Sequence, residues 1–68
     1  MSNSKIKKCI KMAMIRGDIS SPELAKELAV SEDTVVNYRA GKTDSIKKLT
    51  KIAAACGMNY EDMMKLAD

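Results

Sequence analysis

The chain has 68 residues, 46% hydrophobic and 31% charged, with a formal net charge of +3; this balance fits one small folded domain and excludes a disordered tail. Its longest apolar runs, such as 12–15, fall far short of the ~20 residues needed to cross a bilayer. The basic start at Lys5, Lys7 and Lys8 is interrupted by Lys11 and Arg16 where a signal peptide would be apolar, so a cytoplasmic location is expected.

The residue types absent from the chain narrow the chemistry. There is no His, which removes Ser-His and Cys-His pairs, and the three glycines are scattered rather than gathered into a phosphate cradle. Cys9 and Cys56 are too few for a zinc site and are expected to pack as small hydrophobes. No enzymatic activity, metal, cofactor or small-molecule ligand is indicated. With no Trp, no Phe and only two Tyr, the interior has to be filled by aliphatic side chains and the six Met.

Apolar spacing and punctuation predict five helices. The first covers about 4–16, where Ile6, Cys9, Ile10, Ala13 and Met14 repeat at threes and fours along one face. Gly17 is expected to be its left-handed cap, with Ile19 returning an apolar side chain to it. Ser20 and Glu23 have capping-box spacing, and Ile19 and Leu24 have that of a hydrophobic staple; with the cap at Ser20 or at Ser21, Pro22 falls in the first turn. This second helix carries Leu24, Ala25 and Leu28 inward and ends near Ala29.

Val30 and Ser31 connect it to a third helix capped by Ser31, with Glu32 and Asp33 where the helix dipole favours acids. Val35 and Tyr38 form its inner face and Gly41 closes it. After a polar loop at 42–44, a fourth helix capped by Asp44 or Ser45 buries Ile46, Leu49, Ile52, Ala53 and Cys56 and stops at Gly57. Asn59 caps the last helix, with Met58 and Met63 at staple spacing. No segment alternates as a strand would, so the expected fold is all-α, one compact five-helix domain over 1–68.

Residues 21–40, Ser-Pro-Glu-Leu-Ala-Lys-Glu-Leu-Ala-Val-Ser-Glu-Asp-Thr-Val-Val-Asn-Tyr-Arg-Ala, resemble the helix-turn-helix of the Cro/CI repressor (Xre-type) family. Leu24, Ala25, Leu28, Val30, Val35 and Tyr38 stand where that motif has apolar residues, and Ala25 where its two helices cross. Gly41-Lys42 is similar to the loop after the family's recognition helix, and 49–58 to its fourth helix, Leu-x-x-Ile-Ala-x-x-x-Gly. The likeness spans essentially the whole chain. The chain departs from the family at Ala29, usually Gly, at Ser21, often Gln, and in a 41–46 loop that lacks the frequent Pro.

The resemblance implies a lambda-repressor-like fold. It also implies a bacterial or phage-encoded, nucleoid-associated regulator that binds a double-stranded DNA operator, an inverted repeat, as a homodimer. The third helix would then enter the major groove. Its outward residues Ser31, Glu32, Asp33, Val36 and Asn37 are the base-reading candidates: Asn37 matches the N6 and N7 edge of adenine, Glu32 the cytosine amino group and Val36 the thymine methyl. For Glu32 and Asp33, dipole and capping stabilisation of the helix start is the favoured role over base readout.

Residues 20–41 carry a net charge of −2, against +4 for 1–19 and +1 for 42–68, so attraction to phosphate has to come from the flanks. Lys42 lies in the loop after the third helix, and Lys47 and Lys48 oppose the dipole at the start of the fourth. Ser21 and Thr43 are phosphate candidates at helix starts. Lys5, Lys7, Lys8 and Lys11 spread over more than one face of the first helix, and Lys5 and Lys8 join that set. Tyr60, Met63, Met64 and Leu66 give the last helix more apolar surface than one side needs, either as core or as a dimer interface; the resemblance favours the interface. Two alternatives stand beside this reading: a protein-interaction module on the same fold, antitoxin-like or an adaptor, and a membrane-surface role for the basic first helix.

Overall fold

The computed structural model describes residues 3–43 and 45–67 and contains five helices, with no strand among the described residues. They are α1 (Asn3–Gly17), α2 (Ser21–Leu28), α3 (Glu32–Arg39), α4 (Ile46–Ala55) and α5 (Tyr60–Lys65). No helix is long and apolar enough to cross a membrane. Helix α1 is the hub, packing against α3, α4 and α5, while α2 lies on α3 and α4 and α5 closes against α4.

Each start from α2 onward is held by a side chain on a free backbone N–H. Ser20 Oγ accepts from Glu23 N at 3.4 Å, and Glu23 Oε1 accepts from Ser20 N at 3.4 Å, completing the capping box. The cap is therefore Ser20 rather than Ser21, with Pro22 in the first turn, where a missing N–H does no harm. Ser31 Oγ accepts from Thr34 N at 3.2 Å, Ser45 Oγ from Lys48 N at 3.4 Å and Asn59 Oδ1 from Asp62 N at 2.7 Å. Ser45 is thus the cap of α4; Asp44, the other candidate, lies outside the described residues.

The first four helices all end in the same closure. The N–H of Ile19, Val30, Lys42 and Met58 reaches back five residues to the carbonyl of Met14, Ala25, Asn37 and Ala53, at 3.0 to 3.1 Å. The residue before each of them is left-handed: Asp18 (φ 51), Ala29 (φ 57), Gly41 (φ 80) and Gly57 (φ 81). The left-handed residue after α1 is therefore Asp18, not Gly17. Gly17 is the last residue of α1, and a Cβ there would sit 2.8 Å from the Cys56 carbonyl oxygen, so its hydrogen serves the close approach of α1 to the end of α4. Asp tolerates the left-handed region better than most side chains, which frees the glycine for that contact.

The core consists of Ile6, Cys9, Ile10, Ala13 and Met14 from α1, Leu24 and Ala25 from α2, Val35 from α3, Leu49, Ile52, Ala53 and Cys56 from the α4 segment, and Met63 from α5. All five inward residues expected on α1 are buried. Tyr38 and Tyr60 are half-buried against this cluster, so no aromatic ring is wholly inside it. Both cysteines are buried thiols outside any disulfide; Cys9 Sγ donates to the Met64 carbonyl at 3.6 Å, and burial pushes the Cys56 thiol pKa up.

Two expectations are corrected here. Ile46, placed inside by its spacing from Leu49, is 60% exposed: as the first residue of α4 it precedes the turn that meets the core. Met63, a candidate for a dimer interface, is fully buried within the single chain and has no surface for a partner.

Candidate nucleic-acid interface

Helices α2 and α3 are joined by residues 29–31 alone, and packing fixes their orientation. Leu24 and Ala25 are buried from one side and Val35 from the other, while Ala25 also receives the returning Val30 N–H at 3.0 Å. The small side chain at 25 lets the turn fold back onto α2. One face of α3 is thereby spent on the core, with Val35 buried and Thr34 and Tyr38 half-buried.

The other face is open. Ser31, Glu32, Asp33, Val36 and Asn37 are all exposed, Val36 by 57%. At helical spacing they form two rows, Glu32 with Val36 and Asp33 with Asn37, and of these residues Val36 lines the groove against α1. Ser31 is partly engaged, since its Oγ lies 2.9 Å from Thr34 Oγ1 as well as capping the helix. The strip offers amide donors and acceptors, two carboxylates and one apolar patch on a rigid, capped helix.

The cations fall into separate groups. Lys42, Lys47 and Lys48 are exposed around the α3–α4 loop and the start of α4. Lys42 stands out because the other three closures return an apolar residue, Ile19, Val30 or Met58, to the core, whereas this one turns a lysine to solvent. Thr43, in the same loop, is only 8% exposed and offers almost nothing to a phosphate. Ser21 is half-buried, and its Oγ accepts a 2.7 Å hydrogen bond from the Arg39 guanidinium. On α1, Lys8 is exposed and Lys5 half-buried, and neither lines the groove between α1 and α3.

That groove is lined by Lys7, Lys11, Val36, Arg39 and Ala40. Arg39 escaped the sequence reading, and Lys7 and Lys11, considered there beside Lys5 and Lys8, were not the pair chosen, because nothing local tells which side of α1 will meet α3. The available signal was angular: Lys7 and Lys11 stand one turn apart, bordering the Ile10–Met14 side of the apolar stripe.

Tyr60, Met64 and Leu66 are half-buried, and with Met63 in the core they are what remains of the proposed dimer surface. Among the described residues no group of three or more Cys, Asp or Glu side chains is placed to hold a metal ion. No protein-family model matches the chain, and no curated protein or solved structure does either.

Proposed function

We propose that the chain is a sequence-specific, double-stranded DNA-binding transcriptional regulator that uses α2 and α3 as a helix-turn-helix, in the manner of the Cro/CI-like repressors its sequence resembles. The observation that carries the reading is the exposed strip Glu32, Asp33, Val36 and Asn37 on a helix whose opposite side is locked into the core. A helix so presented fits the major groove, and Asn37 there meets adenine through two hydrogen bonds. The protein would act by occupying an operator that polymerase or an activator needs.

Because the α2–α3 unit is itself acidic, a single copy would bind weakly, and pairing through Tyr60, Met64 and Leu66 would place two recognition helices on half-sites ~34–36 Å apart. In vitro selection from randomised duplexes at low salt should enrich an inverted repeat. On that operator, Asn37→Ala should lower affinity roughly 5- to 150-fold, the 1–3 kcal/mol of a bidentate base contact, while leaving non-specific binding unchanged. Equal loss of both would remove Asn37 from base reading.

The exposed Glu32 and Asp33 favour a second reading, in which the same face docks a basic protein surface. Absence of any duplex binding at low salt, with capture of a basic partner lost on Glu32→Gln/Asp33→Asn, would establish that reading instead.

A further inference from the structure

We propose that the groove between α1 and α3 seats one sugar-phosphate strand of the duplex, with Lys7, Lys11 and Arg39 as its phosphate-binding residues. The assignment rests on the DNA-binding reading and adds residues to it. Three cations and two apolar residues, Val36 and Ala40, line this groove; the carboxylates of Asp18 and Glu23 lie in the adjoining cavity that Lys11 and Arg39 also border. Such a lining complements a backbone in which anionic phosphates alternate with apolar sugars.

The position follows from dimensions. A helix with its side chains is ~10–12 Å across and fills a major groove of about 12 Å, so phosphate strands must run along its flanks. Val36 faces the bases from the side of α3 that borders this groove, and Lys7 and Lys11 stand on that flank. They are one helical turn apart, where like charges repel, so folding gives no reason for the pair. Arg39 is the hinge of the arrangement. It lines this groove, and its guanidinium reaches the α2 start at Ser21 Oγ, 2.7 Å away, which holds it beside the proposed path of the strand. Lys5 and Lys8 lie outside the groove and are not assigned to this strand.

The test is the slope of log affinity against log salt for a random-sequence duplex and for the selected operator. Each phosphate contact contributes about 0.9 to that slope. Lys7→Gln/Lys11→Gln should make it shallower by about two on both duplexes, and Lys7→Arg/Lys11→Arg should restore it. Lys51→Gln, an exposed lysine on α4 in a different groove beside Glu27, should keep the wild-type slope. Exposed helical Lys→Gln changes leave the fold intact, which circular dichroism would verify. If the wild type binds duplex and the double variant keeps its slope, the groove assignment is overturned and the DNA reading stands. If the wild type binds no duplex but holds polyglutamate through Lys7 and Lys11, the groove is a seat for acidic peptide and both readings fall.

Discussion

Ala29 and Gly17 show two ways in which a single residue bears on this fold. Ala29 occupies a left-handed conformation (φ 57, ψ 43) that L side chains with a Cβ adopt at a cost of roughly 1 kcal/mol or more. It is exposed, so a glycine there loses no packing. Ala29→Gly should therefore raise the unfolding free energy by about 1 kcal/mol, read as a shift in urea midpoint with an unchanged m-value. Gly17 gives the opposite sign. A methyl there would meet backbone, not a flexible side-chain tip, 2.8 Å from the Cys56 carbonyl oxygen. Gly17→Ala should cost about 1–3 kcal/mol in the same experiment, the usual penalty of overpacking. Both sites lie at helix ends, yet the backbone conformation decides the sign at Ala29 and contact with another element decides it at Gly17.

Individual helices here are too short to stand alone. Helices α2 and α3 have eight residues each and α5 six, below the ~12–15 at which an isolated helix becomes even marginal. Their existence depends on capped starts, closed ends and a shared core. Ser20 contributes to both ends of one reciprocal contact with Glu23. Ser20→Ala should lower stability by about 1 kcal/mol, and Ser20→Asp, which keeps an acceptor at the cap, should recover most of it in thermal melts. The starts were legible because a capping side chain works within three residues of itself. The ends were half legible. Gly41 and Gly57 announced their closures, whereas Asp18 and Ala29 perform the same closure without the residue that signals it.

For the molecule as a whole, the question is which apolar residues form the core and which remain outside. Met63 and Ile46 both carry core-like spacing, and they separate cleanly: Met63 is fully buried, Ile46 60% exposed. Met63→Ala should cost about 2–5 kcal/mol, as cavities left by long aliphatic side chains do, whereas Ile46→Lys should stay within about 0.5 kcal/mol of wild type; denaturant titration of the two reads the contrast directly. The same separation bears on assembly. Pairing through α5 has to use the half-buried Tyr60, Met64 and Leu66, because Met63 serves the chain's own interior. The proposed DNA face is likewise a product of the whole. It exists because Val35 and Tyr38 turn inward against other helices and leave Val36 and Asn37 outside.

The amino-acid sequence by itself determined the all-helical class, the number and order of helices, the side chains that cap α3 and α5, and twelve of the thirteen buried hydrophobic residues as inward-facing. These follow from 3.6-residue periodicity and from hydrogen bonds that span three or four positions, which act within a single element. Tertiary structure alone decided that Gly17 is a contact point and Asp18 the turn, that Ile46 stays outside, and that Thr43 is shielded. It also brought Lys7 and Lys11 of α1 beside Val36 and Arg39 of α3, residues about 30 positions apart in the chain. Such juxtapositions depend on the angle at which one helix crosses another, and that angle is set by the packing of both partners, not by the pattern on either one.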